Sequence, residues 1–404
     1  MLFILAWRNI WRNKRRSLIV VTSIVVGLAA IIFVESLSRG FMKQMFENEL
    51  GAHTSHLQIH QRGFQSNKVI QNHIATDSLV VRAVASQSGI KHFSERVIAF
   101  GLLSSASNSA GVSIVGIDPP REAKVTTIEA FVLEGRYPSG AGNEILMSER
   151  LSEMLDVGLG DRIVAMASAL DGKVGSEMFR VVGLYRSANS AFDRMYVYIP
   201  IQDAQTMLRI GRGIVEIAVI ARDMDTVPTI KNELAAILGD TFEVLSYQDL
   251  LPTLLMQMEM AGQMMFIFYL IIGLAMIFGI INTMLMSVFE RIQEFGVLKA
   301  IGMSDGRLFS MILLEAFLLG SLGGAVGLAL GIGINLQLSM SGLNFAAFSE
   351  GLERYGTGAI VYPVLNYVSV LSGTLLILLI CIVGAMYPAY RAVKLQPISA
   401  IRYV

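Results

Sequence analysis

MMFIFYLIIGLAMIFGIINTMLMSV (Met264–Val288) and LFSMILLEAFLLGSLGGAVGLALGIGINL (Leu308–Leu336) stand on either side of the charged stretch ERIQEFGVLKAIGMSDGRL (Glu290–Leu308). Each apolar flank exceeds the roughly 20 residues that a helix needs to cross a bilayer. SLIVVTSIVVGLAAIIFVESL (Ser17–Leu37) and LNYVSVLSGTLLILLICIVGAMY (Leu365–Tyr387) meet the same requirement. Composition agrees, with 53% of the chain hydrophobic and 16% charged, against about 45–50% and about 25% in soluble domains. The first window has a longer apolar core than a secretion signal and no small-residue cleavage pattern after it, so it reads as an uncleaved anchor. Net charge is zero, which gives no global attraction to nucleic acid. The single cysteine, Cys381, lies in an apolar run and leaves no intrachain disulfide or thiolate metal cluster to build.

Lysines and arginines set the orientation. Arg8, Arg12, Lys14, Arg15 and Arg16 precede the first span; Arg291, Lys299 and Arg307 separate the second and third; Arg391, Lys394 and Arg402 follow the fourth. The loop between spans three and four carries only Arg354. The positive-inside rule therefore places both termini and the Glu290–Leu308 stretch in the cytoplasm. The expected fold is a membrane protein of four transmembrane α-helices in a 1+3 order, with a large α+β extracytoplasmic domain inserted between helices 1 and 2. Its divisions are a basic N-terminal helix (1–16), the first transmembrane helix and stalk (17–40), the outer domain (41–250), and a second stalk with transmembrane helix 2 (251–288). A cytoplasmic helix (289–307), transmembrane helix 3 (308–336), an outer loop (337–364), transmembrane helix 4 (365–388) and a cytoplasmic tail (389–404) complete it. In the outer domain, SHLQIH, ERVIAFGLLSS, GVSIVGI, DRIVAMAS, MFRVVGLY and RMYVYIP have strand character, and SERLSEMLDV, IQDAQTMLRI and DTVPTIKNELAAIL have helical periods. The segment entering that domain reads as a helix that breaks at Gly51.

Catalytic signatures are missing. His53, His56 and His60 cluster in sequence, but the strand period puts only His56 and His60 on one face, and no Cys or acidic pair completes a four-ligand set. There is no G-x-S-x-G and no H-E-x-x-H, and Gly172-Lys173 lacks the rest of a phosphate loop. No catalytic residue, bound metal or nucleotide site of its own is expected, and the chain does not read as an enzyme.

Between spans two and three, Phe289, Ile292, Phe295, Leu298 and Ile301 recur every third residue as one apolar stripe, with Glu290, Arg291, Gln293 and Glu294 on the remaining surface. Two acids against one arginine suit anionic lipid poorly, so the helix fits a protein partner better than a headgroup layer. Gly320, Gly324, Gly327 and Gly331, with Gly323 between them, form small-xxx-small patterns in span three that let helix backbones approach closely. Glu315, at shallow depth in the same span, suits a structural hydrogen bond better than a proton relay.

ERIQEFGVLKAIGMSDGRL resembles the E-R-x-x-E-I-G-[VI]-L-[RK]-A-[IL]-G signature of FtsX/MacB-type ABC transporter permeases, with Phe295 in place of the usual Ile. WRNIWRNKRRS before span one and YPAYRAVKLQPISAIRY (Tyr387–Tyr403) are similar to the family's N-terminal basic helix and closing motif. The resemblance implies a mechanotransmitting permease subunit of the bacterial inner membrane. It also implies a MacB-like periplasmic core domain and dimerisation with a second copy or a paralogue. ATP and Mg would be used only by a separate ATPase subunit. Carried over by position, Glu290, Arg291, Glu294, Gly296, Leu298, Lys299, Ala300 and Gly302 form the ATPase-coupling element, and Glu35 and Arg39 line an outward cavity.

Within the family, the chain looks most like the lipoprotein-release (Lol-type) branch. That likeness implies extraction of lipoproteins from the outer leaflet, with Val26, Ala30, Phe33, Met265, Phe268 and Ile272 lining a cavity for acyl chains, or simply facing lipid and neighbouring helices. A periplasmic lipoprotein carrier or adaptor and membrane lipid are the further partners implied. The alternatives are a MacB-like exporter of periplasmic peptides or drugs, and an FtsX-like scaffold that regulates a periplasmic hydrolase.

Overall fold

The computed structural model describes residues 2–74 and 79–394. The closing motif beyond Lys394, and with it Arg402 and most of the expected tail, lies outside the described residues. The chain divides into two compact units, one of Met1–Met42, Gln257–Asn344 and Ile360–Val404, the other of Lys43–Met256 and Phe345–Ala359.

Six helices account for the first unit and its continuations: α1 (Leu2–Arg12), α2 (Lys14–Glu49), α3 (Pro252–Glu290), α4 (Ile292–Ala300), α5 (Asp305–Ser341) and α6 (Tyr367–Val393). Among the described residues α2, α3, α5 and α6 are long and apolar enough to cross a membrane. At about 1.5 Å per residue, α2 and α3 are each more than 50 Å long, well beyond the ~30 Å of a hydrocarbon core. Both therefore continue past any bilayer as stalks. The break after α2 comes later than the expected Gly51. A π-helical turn, Leu50–Thr54, carries the helix on, closed by Ser55 N donating to Leu50 O at 2.9 Å, and Ser55 itself turns left-handed at φ 60°.

The apolar face of α2 packs on the small-residue stripe of α5. A Cβ on Gly323 would lie 2.8 Å from Ile24, one on Gly331 2.9 Å from Ile32, and one on Gly327 3.1 Å from the Val25 backbone. One turn earlier, Gly320 admits the thiol of Cys381 from α6, 3.0 Å from where a Cβ would stand. Gly324, which the spacing also includes, faces no atom within 4 Å. Hydrophobicity does not separate helix from lipid, so contact at this range is what dispersion needs to hold the helices together.

The second unit is built on a ten-stranded sheet: β1 (Leu57–Gln61), β2 (Ile90–Ser104), β3 (Ser109–Ile117), β4 (Val132–Gly135), β5 (Glu144–Ser148), β6 (Arg162–Ser168), β7 (Val174–Tyr185), β8 (Tyr196–Pro200), β9 (Glu216–Ala221) and β10 (Phe242–Ser246). The order is β10-β1-β9-β2-β3-β8-β5-β7-β4, and β6 pairs with β2 and β7. β3 with β8 and β5 with β7 are parallel, and the other pairs are antiparallel. Helices Glu149–Leu155, Ile201–Leu208 and Val227–Leu238 cover it, so the fold is α+β. Phe345–Ala359, part of the expected outer loop, belongs to this unit. Arg150 pairs with Glu353, and Asn48 Nδ2 donates to Gly356 O at 2.9 Å.

Strand register creates a buried charge cluster. Arg96 on β2 and His60 on β1 both stand opposite Glu216 on β9, so three adjacent strands present a base, an acid and an imidazole together. Arg96 is fully buried, grips Glu122 through two nitrogens (Nη2–Oε1 2.7 Å, Nε–Oε2 3.1 Å), and meets Glu216 at 2.5 Å; His60 Nε2 lies 3.0 Å from the other Glu216 oxygen. The three histidines that lie close in sequence are thus separated by role. His60 serves Glu216, His56 Nδ1 accepts from Ala221 N at 3.1 Å, and His53 lies in the π-helical turn with its carbonyl on Arg96.

Two outcomes follow. Gly323→Val should lower the melting temperature of the purified protein by several degrees, as overpacking costs about 1–3 kcal/mol, whereas Gly333→Ala, with no atom within 4 Å of its Cβ, should leave it nearly unchanged. Equal shifts would show that α2 does not depend on the stripe. Burial pushes the Glu216 carboxyl up, but Arg96 beside it and the His60 hydrogen bond hold it down at about 2. The folded state therefore holds this group ionised more strongly than the unfolded chain does. Its contribution is present above the ordinary value of 4.5 and is lost as pH falls from there towards 2. Amide exchange in β1, β2 and β9 should accelerate through that window, and Glu216→Gln should flatten the dependence.

Candidate functional site

The helical turn between α3 and α5 is held by charges that the chain buries. α3 ends at Glu290, Arg291 leaves helical geometry (φ −112°, ψ 18°), and α4 starts at Ile292. α4 ends in a Schellman arrangement, with Gly302 N donating to Lys299 O and Met303 N to Leu298 O, both at 3.0 Å. Gly302 takes φ +99°, a left-handed angle that glycine adopts without a Cβ penalty. The chain can then reverse into α5 within a few residues.

This geometry corrects the single stripe expected from spacing. The kink at Arg291 takes Phe289 off the axis of α4, and Ile301 falls beyond its end. Phe289 is 53% and Ile301 78% exposed, while Ile292 and Phe295 are buried and Leu298 is partly so. Arg291, expected on the polar surface, points inward and is 6% exposed. Its Nη1 lies 3.1 Å from Glu315 of α5, its Nε 3.2 Å from Glu294, and its guanidinium covers the Phe295 ring at 4.9 Å. Glu315 is equally buried.

A second layer of pairs ties the turn to the N-terminal helices. Arg12 meets Glu294 at 2.6 Å, Arg16 pairs with Glu290, and Asn13 Nδ2 donates to Glu290 at 3.3 Å. Burial raises the Glu294 carboxyl, but Arg12 and Arg291 outweigh it and hold the group below its usual range. Lys299 Nζ donates to Val393 O at 2.8 Å near the end of α6 and meets Asp305 at 2.9 Å. Glu290, Arg291, Glu294 and Lys299 are therefore engaged within the bundle, Gly296 is buried, and Ala300 and Gly302 are exposed beside Val297 and Ile301.

The other carried-over residues lie elsewhere in the bundle. Val26 and Phe268 are exposed, and Ala30, Phe33, Met265 and Ile272 are partly buried. Glu35 is 8% exposed, accepts from Tyr269 of α3, and meets Arg39 Nε at 3.0 Å; Arg39 Nη2 donates to Ser369 of α6 at 2.9 Å. The spacing of four between Glu35 and Arg39 signals this pair in the sequence, but Tyr269 and Ser369 carried no such signal. Among the described residues, no group of three or more His, Cys, Asp and Glu side chains is placed to hold a metal ion.

Residues 266–397 match the profile described as FtsX-like permease C-terminal, and residues 17–237 match that of the MacB-like periplasmic core domain. The macrolide export ATP-binding/permease protein MacB of Bdellovibrio bacteriovorus is 26% identical over 97% of this chain; the chain spans 60% of that relative's length. The lipoprotein-releasing system transmembrane protein LolC of Neisseria meningitidis is 24% identical, over 96% of this chain and 94% of LolC. The crystal structure of the periplasmic region of MacB from Actinobacillus actinomycetemcomitans covers 52% of this chain and 96% of its own, with 18% identity and a TM-score of 0.36.

Removing one member of a buried ion pair strands the other, at a cost of about 3–5 kcal/mol. Arg291→Met should therefore destabilise the protein strongly, and Glu315→Met added to it should recover most of the loss. A double variant no more stable than the single one would exclude the pair as the anchor of the turn.

Proposed function

The chain belongs to the FtsX/MacB-type family of ABC transporter permeases, and on that premise we propose that it couples ATP hydrolysis by a separate cytoplasmic ATPase to movement of its sheet domain. ATP and Mg are handled by that partner, and the permease works in the bacterial inner membrane with a second copy or a paralogue. Both termini and α4 face the cytoplasm in this reading, which the distribution of lysine and arginine supports.

The observation that carries the coupling role is the division of labour in α4. Its motif charges are spent on the bundle, which leaves Val297, Ala300 and, just past its end, Ile301 exposed at a helix that Arg291 and Glu315 fix to α5. An apolar patch on a rigid mount suits a groove in a partner protein, because a push on it reaches α3 and α5 without first deforming a loop. Glu290, Arg291, Glu294, Gly296, Leu298, Lys299 and Gly302 act as the mount, and Ala300 belongs to the docking face. Val297→Asp and Ile301→Asp should each abolish stimulation of the ATPase by the permease while leaving its melting temperature in place. Retained stimulation in both would remove α4 from the coupling path.

For the substrate, we favour lipoproteins drawn from the outer leaflet. α3 exposes Met260, Met264, Phe268 and Ile271 along one side, and thioethers adapt to irregular apolar shapes such as acyl chains. The LolC relative of Neisseria meningitidis matches over nearly the whole of both chains. Export, as in the macrolide export protein MacB of Bdellovibrio bacteriovorus, is the second reading. Copurification of the permease with its ATPase, followed by mass spectrometry, separates them. A bound acylated polypeptide supports extraction, and a periplasmic adaptor in its place supports export.

A further inference from the structure

Away from the bundle, the sheet domain contains a cavity of about 190 Å³ beside the Arg96–Glu216 cluster. A cavity of about 150 Å³ admits a benzene ring, so this one has room for a small organic molecule. Two features of its wall point to a ligand. Ser113 on β3 is 1% exposed, lines the cavity, and its hydroxyl has no hydrogen-bond partner in the protein. Such a buried hydroxyl is costly unless something meets it. The wall also combines aromatic rings with acids: Phe64, Phe100 and Tyr196 stand with Glu49 and Glu216.

The charge balance favours a cation. Glu216 shares the single guanidinium of Arg96 with Glu122, and its other oxygen meets the His60 imidazole at 3.0 Å, which leaves two carboxylates to one arginine and one imidazole. Among the described residues, the hydrogen bond that Glu49 accepts is from the Asn189 amide at 3.1 Å. The structure already places an ammonium on this surface, since Lys68 Nζ rests over the Phe100 ring, 5.7 Å from its centre. Lys68 is exposed and reaches the rim from a left-handed residue (φ 49°).

We propose that this cavity binds a small organic ammonium ion, with its apolar body among Phe64, Phe100 and Tyr196, its charge opposite Glu49 and Glu216, and one N–H on the Ser113 hydroxyl. Lys68 is a tethered competitor that the ligand displaces from Phe100. The site has a regulatory position. Glu49 ends α2, and the cavity also reaches Leu250 and Leu251, just before α3 begins at Pro252. Occupancy therefore braces the roots of both long helices. Nothing in this assignment depends on the substrate of the transporter.

The test is titration of the full-length protein in detergent with phenethylamine and, as its neutral counterpart, 2-phenylethanol, near pH 7. A desolvated cation–π contact with a counter-charge is worth about tenfold in affinity, so the amine should bind at least that much more tightly. Lys68→Gln should strengthen amine binding severalfold, Glu49→Gln should weaken it, and Ser113→Leu should fill the cavity and abolish it. Equal affinity for amine and alcohol, no binding of either, or unchanged amine binding in Ser113→Leu would each overturn the proposal. If Ser113→Leu does not fold, the opposite responses of Lys68→Gln and Glu49→Gln decide it, and the absence of either response overturns it.

Discussion

Arg291 and Glu315 are 24 residues apart and meet inside the bundle. Neither charge is tolerable there alone, since each would be stranded in a medium that solvates it poorly. Together they impose a geometry: α3 must end where Arg291 can turn inward, and α5 must present its third turn to that point. The kink, the short α4 and the glycine reversal all satisfy this demand. Such a pair adds little net stability over a well-packed apolar replacement, and its use here is to allow one arrangement of the turn.

The sheet domain solves a similar problem with Arg96. Two acids and a histidine surround a guanidinium that has no solvent, and strand register holds them in place. In both units an arginine is the fixed point, because its planar fork can satisfy several acceptors at once. The cost also differs from that of apolar packing. A lost methyl group leaves a cavity, whereas a lost partner leaves an uncompensated charge. In the bundle, apolar packing depends instead on missing atoms, as the bare faces of Gly323, Gly327 and Gly331 against α2 show.

Four membrane-length helices, their long stalks and the alternating strands could be read directly, because each depends on a run or a period within one segment. The α4 stripe could not. A period of three across Arg291 assumes one continuous helix, but the kink there takes Phe289 off the face and α4 ends before Ile301. The partners of the clustered histidines were not legible either. Strand period and the missing ligands argue against shared chemistry among them, but no local signal pairs His60 with Glu216, 156 residues away. Gly324 fits the small-residue spacing as well as Gly327 does, yet only Gly327 meets a neighbour.

Sequence alone determined that this chain enters a membrane, where its helices lie, and which short motif sets it among permeases, because apolar length and motif residues are local properties. Tertiary structure decided which motif residues hold the turn and which remain exposed. It also decided that Arg96, Glu122 and Glu216 form one cluster, and that a cavity opens beside them. Those facts depend on partners far apart in the chain, whose meeting is set by packing and register that no single segment encodes.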